Sequence, residues 1–511
     1  MGGVLKKPTD NDDNRENTNN TNNMDNMDNM DNIISSPTIQ LISTEHLDAV
    51  LEWRHRTFWD CTECGLPRTG YSWCQNCESN GFEQQFPHWT SGNIDIDDFI
   101  RKSQKQAQTD HEYMEWIPHE NFTDIEYITS GGYGDIYFAV WQEGPRWAWD
   151  ENDQIRIRTG PRNVALKILD NSQHITTDFL NELASHHRCN SESHVLFCYG
   201  ISKDPMTNKY ILVMDYAQSF YEYVIERSNR ISWMKKLEIL YDIALGLVTL
   251  HRKNIVHRNF HPGNIFMDAN YQGYTCISDI GQYYPPDKDS NSKKLYGVLP
   301  YVSPEVLLGT DFTTASDIYS FGMIMWGISA ARRPFADRPH DQSLASDICN
   351  SLRPKAVKGT PPSFVKLMKK CWDPNPSNRP NATELVDILE GWIKILYNDH
   401  EPSDSIREEF NAAEEHRINS TSAPNSPSMF HPLAIYTSRL LSFSNLKSIF
   451  ADEESLTRNH SINTKFFIKN TKKNFPSNNI KQQQQQHNIN DQHPKILDLT
   501  ELSHPIFFIN N

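Results

Sequence analysis

Ile255-Val256-His257-Arg258-Asn259-Phe260-His261-Pro262-Gly263-Asn264-Ile265-Phe266 is the stretch around which the chain is organised. A run with Leu237, Leu240, Tyr241, Ala244, Leu247 and Val248 spaced for one apolar helix face precedes it. Ser278-Asp279-Ile280-Gly281 follows it. Asn264 and Asp279 offer hard oxygen ligands, the kind that suit Mg²⁺. Asn259 offers an amide, which accepts a hydrogen bond through its oxygen but cannot take a proton at pH 7.

Outward on the N-terminal side, Gly131, Gly132 and Gly134 join two strand-like runs, Tyr127–Ser130 and Asp135–Tyr137. Such a loop lets backbone N–H groups approach phosphates, although a plain hairpin turn would look similar. After a strand-connecting insertion over residues 143–162 comes Val164-Ala165-Leu166-Lys167. A lysine in an apolar strand is costly to bury unpaired, and Glu182, on the next helix, is its expected partner. Tyr210–Ala217 reads as a buried strand running into a hinge. On the C-terminal side, a loop over residues 282–299 carries Ser290, Ser292 and Tyr296 and leads to Ser303-Pro304-Glu305. Asp317-Ile318-Tyr319-Ser320-Phe321-Gly322 and Cys371–Arg379 complete the series.

Seven motifs in this order and spacing resemble those of the protein kinases. His257, Arg258 and Asn264 match the catalytic loop, and Asn259 stands where the family has its proton-accepting Asp. The first glycine of the Gly-rich loop is replaced by Thr129, and the Phe of Asp-Phe-Gly by Ile280. The run ending at Arg379 is most similar to tyrosine-kinase-like and tyrosine kinases. The resemblance covers roughly half the chain and implies an α+β, bilobal fold, with a small β-rich lobe, a larger helical lobe and ATP between them. It implies ATP binding by Gly131, Gly132, Gly134, Ile136, Ala165, Lys167, Glu182, the gatekeeper Met214 and the backbone from Asp215 to Ala217. It implies Mg²⁺ on Asn264 and Asp279, and a catalytic set of Lys167, Asn259, Asn264 and Asp279. Asp317 is expected to brace the catalytic loop, Arg379 to pair with Glu305, and Arg258 to meet a phosphate on the activation segment. His261 stands where many Ser/Thr kinases carry Lys, a position from which it could assist the γ-phosphate or relay a proton.

Two functions follow from that resemblance. One is a weak protein kinase, leaning to Ser/Thr, that transfers the γ-phosphate of ATP to protein hydroxyls. The other is a pseudokinase, a nucleotide-binding scaffold that regulates a partner protein. Val298 follows Gly297 where Ser/Thr kinases usually have Thr, which leaves Ser/Thr against Tyr open.

The rest of the 511 residues divides around this domain, placed at 122–396. Residues 1–40 are Asn-rich and are expected to be disordered, because they cannot bury enough surface to offset chain entropy. Residues 41–80 combine a short helix, from Leu41 to Trp59, with Cys61-x-x-Cys64 and Cys74-x-x-Cys77. Doubled Cys-x-x-Cys knuckles resemble a zinc ribbon and imply a closed, structural Zn²⁺ site. The arrangement ahead of the kinase motifs is also similar to kinase-like proteins of arbuscular mycorrhizal fungi. Residues 81–121 read as an aromatic-rich extension packed on a neighbour. Residues 397–511 read as a mostly disordered tail, in which Leu440–Phe450 is expected to fold on a partner.

The net charge of −16 disfavours nucleic acid and anionic membranes as partners. Phe321–Ala331 is too short to span a bilayer and reads as a buried helix. The N-terminus lacks the long apolar run of a signal peptide, and Gly2 is followed by Lys6 where myristoylation prefers Ser or Thr. An intracellular, cytoplasmic setting is therefore expected, with the nine cysteines as thiols or metal ligands.

Overall fold

The computed structural model describes residues 44–443, except 72, 132–133, 151–154, 171, 174, 176, 226–229, 268–273, 281–294, 399–404 and 421–429. The expected Asn-rich tail, Gly132, Gly281, Ser290, Ser292 and the residues after 443 lie outside that set.

The described chain opens with α1 (Thr44–Phe58), then the cysteine loop, α2 (Gln75–Gln85) and α3 (Ile94–Gln106). Next come β1 (Glu115–Trp116), β2 (Phe122–Gly131), β3 (Gly134–Trp141), the hairpin β4 (Arg146–Asp150) and β5 (Ile155–Arg158), and β6 (Arg162–Leu169). Helix α4 (Thr177–Cys189), β7 (Cys198–Lys203) and β8 (Tyr210–Asp215) complete the small lobe.

Six of these strands form one sheet in the order β1-β7-β8-β6-β3-β2. Side chains alternate across a strand, and β8 shows why both faces are dry. Leu212 and Met214 join Ile96, Phe99, Ile100, Leu183 and Ala184 in a core under α3 and α4. Ile211 and Val213 join Trp141, Val164 and Leu166 in a second core on the opposite face. The extension over residues 81–121 is therefore built into this lobe, with Ile96 and Ile100 wholly buried. Each such side chain contributes roughly 1.5–3 kcal/mol. Its β1 pairs parallel to β7, Glu115 opposite Gly200. A Cβ at Gly200 would stand 2.0 Å from the Glu115 carbonyl oxygen, so glycine is required there.

The large lobe follows: β9 (Gln218–Ser219), α5 (Trp233–Arg252), β10 (Ile265–Met267), β11 (Thr275–Ile277), β12 (Tyr296–Gly297), α6 (Pro304–Leu307), α7 (Thr314–Ala330), α8 (Gln342–Cys349), α9 (Pro362–Cys371), α10 (Ala382–Tyr397), α11 (Ser405–Asn419) and β13 (Arg439–Leu440). Ser232 caps α5 by accepting from the Lys235 N–H. The apolar face expected for α5 is buried at Leu237, Leu240, Ala244 and Leu247. Helix α7 is buried on every side from Ser316 to Ile328, as a central core helix should be. No described helix is long and apolar enough to cross a membrane.

The stretch from residue 397, expected to be a mostly disordered tail, carries ordered elements in its described part. Phe410 of α11 is 2% exposed and packs edge-on against Trp233, 5.9 Å between ring centroids. Glu414 and Glu409 of α11 accept the backbone N–H groups of Trp233 and Ser363. Burial of one aromatic face and capping of two N–H groups hold a helix whose own propensity would not. Leu440, expected to meet a partner protein, is paired within the chain, opposite Tyr296.

Candidate active site and metal centre

Two buried charges, Lys167 and Glu182, and the half-buried Asp279 define the cleft between the lobes. Lys167 projects from β6, and its Nζ lies 3.2 Å from Glu182 Oε1 on α4 and 2.9 Å from Asp279 Oδ1. Burial works against the Lys167 cation, but the Asp279 and Glu182 carboxylates outweigh it and hold its pKa above the ordinary lysine value. Burial likewise pushes the Asp279 carboxyl up, and Lys167 more than offsets it, so Asp279 stays below its usual value. One cation against two carboxylates leaves the cluster net negative, which suits a divalent cation. Asp279 holds a left-handed backbone, φ +57°, as does Arg258 at φ +70°. Such strain costs of order 1–3 kcal/mol per residue and gathers at functional sites.

The catalytic loop is braced from α7. Asp317 accepts from the His257 N–H at 2.9 Å and the Arg258 N–H at 3.2 Å, and lies 2.9 Å from His251 Nε2. Asn264 donates from Nδ2 to the Asn259 carbonyl at 2.9 Å, which fixes the orientation of its amide and leaves Oδ1 as the acceptor end. Asn259 is 4% exposed, and its Oδ1 accepts from the Ser438 hydroxyl at 3.3 Å. Further out, Arg379 grips Glu305 through two bonds of 2.7 and 2.8 Å, the fork-to-fork geometry of a buried pair.

Towards the hinge, Ile136 pairs with Lys167, and Ala165 pairs with Met214. Met214 is 3% exposed. The Asp215 side chain turns away and binds Arg162 at 3.1 Å. Its N–H donates to Phe197 O at 2.9 Å. Gly134 closes the tip of β3, where a Cβ would stand 1.9 Å from Ile168 O. A cavity of about 380 Å³, lined by Tyr113, Glu115, Arg146, Arg162 and Phe197, lies outside this cleft.

His261 does not carry the charge that an aid to the γ-phosphate would need. Burial pushes its pKa down to about 3, and its Nδ1 accepts from the Gly263 N–H at 3.0 Å. That bond puts the ring proton on Nε2 of a neutral imidazole. His186 of α4 is also fully buried, with its pKa pushed down to about 4. The unfolded chain binds protons at these two sites near pH 6.5, the folded chain only near 4 and 3. Stability is therefore fully present above pH 6.5 and is lost as pH falls below it. At pH 5 each histidine should cost of order 2 kcal/mol. Melting temperatures between pH 7.5 and 5 should fall accordingly, and a flat profile would contradict neutral burial.

The four knuckle cysteines come together as a second site. Their sulfurs all lie within 4.8 Å of one another. Cys61 to Cys77 is 3.7 Å and Cys64 to Cys74 is 3.6 Å. A tetrahedron with 2.3 Å Zn–S bonds has edges of about 3.8 Å, so the set fits Zn²⁺. Gly65 follows the first knuckle at φ +73°, and its N–H donates to Cys61 O. Burial, with the neighbouring cysteines, pushes the Cys74 thiol up to about 11, a cost that a divalent cation would reverse. The knuckle is seated on the extension: Trp73 stacks on Tyr113 at 5.3 Å and donates to Ala107 O. Arg146 of β4 lies over the Phe82 ring at 4.3 Å. Metal analysis should give one Zn²⁺ per chain. Chelation should raise hydrogen exchange at the Cys61 and Gly65 amides while leaving the α7 core protected, and exchange unchanged by chelation would remove the zinc assignment.

A β-rich lobe, a helical lobe and a Lys–Glu–Asp cluster between them define a protein-kinase-like molecule. Residues 122–389 match the family described as protein tyrosine and serine/threonine kinase, and the chain belongs to it. Dual specificity protein kinase shkA of Dictyostelium discoideum is 27% identical over 298 residues, 57% of this chain and 53% of that protein. Cyclic GMP-binding protein C of the same organism is 33% identical over 190 residues, 34% of this chain and 7% of that protein. Probable serine/threonine-protein kinase gdt2, also from that organism, is 26% identical over 276 residues, 52% of this chain and 16% of that protein. The chain thus spans about half of one of these relatives and far less of the other two.

Proposed function

We propose that this protein is an ATP-dependent protein kinase of reduced rate, acting on protein hydroxyls, with Ser/Thr as acceptors. The observation that carries the reading is Lys167 held between Glu182 and Asp279 in a buried cleft. In this reading Lys167 receives the α and β phosphates of the nucleotide, and Asn264 Oδ1 and Asp279 hold Mg²⁺, which would neutralise charge on the phosphates. Gly131 and Gly134 cover the phosphates. Ile136, Ala165, Met214, the Asp215 carbonyl and the Ala217 backbone enclose the adenine. Asn259 orients the acceptor hydroxyl but cannot keep its proton, so the general-base contribution of roughly 10²–10⁴ is missing. Positioning and electrostatics, which dominate phosphoryl transfer, are retained. Similarity to shkA and gdt2, named as a dual specificity protein kinase and a probable serine/threonine-protein kinase, supports hydroxyl acceptors.

Asn259 also supports a second reading, a pseudokinase scaffold that binds nucleotide and regulates a partner protein. Transfer of phosphate from Mg·ATP by the wild-type chain, alongside a binding titration, separates the two. Binding without transfer selects the scaffold, and neither binding nor transfer defeats both. We place the protein in the cytoplasm, where its nine free cysteines would stay reduced or metal-bound.

A further inference from the structure

A strand from the chain's own C-terminal region lies across the catalytic loop. β13 pairs antiparallel with β12, Leu440 opposite Tyr296 and Arg439 opposite Gly297. The Leu441 N–H donates to Leu295 O at 2.7 Å. Upstream, the segment is pinned along the large lobe. The His431 N–H donates to Ala336 O, and the His340 N–H to Leu433 O. The Tyr436 hydroxyl donates to Pro334 O at 2.7 Å, and the Arg333 guanidinium sits 4.8 Å from the Tyr436 ring. This path leaves Thr437 exposed and turns Ser438, 9% exposed, onto Asn259 Oδ1.

We propose that residues 430–443 are the protein's own acceptor segment, docked as a strand in the protein-substrate groove, and that Ser438 is the hydroxyl it phosphorylates. The proposal rests on the kinase reading above. Position 259 is where a kinase holds the acceptor hydroxyl, and a hydroxyl already donates to it. The separation, 3.3 Å, is within hydrogen-bond reach. The register also selects the acceptor class. With the strand paired to β12, a serine or threonine hydroxyl reaches Asn259, whereas a tyrosine hydroxyl, set a full ring beyond its Cα, would overshoot.

The step balances as ordinary phosphoryl transfer from Mg·ATP. A bond forms between Ser438 Oγ and the γ-phosphorus, and the bond from that phosphorus to the bridging oxygen breaks. ADP leaves with the electron pair, and the hydroxyl proton passes to phosphate oxygen or solvent. The product carries about −1.5 to −2 charge where Ser438 is buried, so the modified strand should leave the groove and open it to other proteins.

The test uses the full chain. With Mg·ATP, mass spectrometry should find phosphate on Ser438, at a rate per molecule independent of protein concentration across about a tenfold range. Ser438→Ala should lose that site. Hydrogen exchange reads the docking without turnover. The Leu441 amide should be protected at least about tenfold, and Leu441→Asp should release residues 295–297 and 438–441 together. An unprotected Leu441 amide in the nucleotide-free chain overturns the docked strand, whatever the activity. Protection together with transfer to an added protein but none to Ser438 overturns the acceptor role and leaves the kinase reading standing. No transfer to any protein, even from Asn259→Asp, defeats the kinase reading and the acceptor role but not the docking. A rate that grows with concentration overturns transfer within one molecule.

Discussion

Asn259→Asp is expected to raise the rate of phosphate transfer by about 10²–10⁴, the usual contribution of a positioned general base. The geometry for the gain is already present. The Asn259 side-chain oxygen accepts a hydroxyl from Ser438, and the loop that carries it is tied down by Asp317 and Asn264. Asp is nearly isosteric with Asn, so the new carboxylate inherits that bond and can keep the proton. The effect should sit in kcat, because the base acts in the transition state and not on nucleotide affinity. Steady-state kinetics on an added protein, with nucleotide binding measured separately, check it. A variant that binds nucleotide as wild type does but transfers no faster would show that the amide is not what limits the rate.

That expectation could be framed from sequence because the site is made of point-like signals. Lys167, Glu182, Asn264 and Asp279 each sit in a short motif, and burial of unlike charges makes their pairing close to obligatory. The four cysteines are of the same kind, since two doubled spacings leave little freedom in how the sulfurs meet. What escaped was everything fixed by surfaces. β13 is a two-residue strand whose partner lies more than 140 positions away, and no turn signal links Tyr296 to Leu440. Thr437-Ser438-Arg439 carries no pattern beyond that of a polar tail. Helix α11 did leave a trace, because Ile406, Phe410 and Ala413 fall on one face, but its low apolar content resembles that of the neighbouring tail. The charge state of His261 was equally hidden, because it depends on burial by residues distant in the chain.

The extension also changes what the kinase motifs mean. In many two-lobed enzymes the helix carrying the glutamate is free to swing, and its lysine pair comes and goes. Here α3 packs on α4 through Phe99, whose ring meets His187 at 5.7 Å, while His187 Nε2 lies 2.7 Å from the Glu112 carbonyl. The Lys167–Glu182 pair is thus supported by residues that lie before the first kinase motif.

Lys167→Met should abolish transfer and weaken nucleotide binding, and it should also reverse one sign in the acid titration of stability. Loss of a charged hydrogen-bond donor to phosphate, worth about 1.5–3 kcal/mol, corresponds to roughly 10- to 100-fold in affinity. The structural cost is separate. Glu182 is 2% exposed, and removing its cation leaves two carboxylates facing each other across the cleft. Breaking a buried pair from one side costs about 3–5 kcal/mol at neutral pH. In the wild-type chain Asp279 is held below its ordinary value, so its contribution is present at neutral pH and is lost only as pH falls through that lowered value. In the variant the Lys167 cation no longer offsets burial, which pushes the Asp279 carboxyl up. Protonation then relieves the strain, and the variant should gain on the wild type as pH drops from 7 towards 5. Denaturation of both chains across that range tests it: a stability gap that stays constant with pH would mean that Lys167 does not neutralise Asp279, and the electrostatic account of the cleft would fall with it.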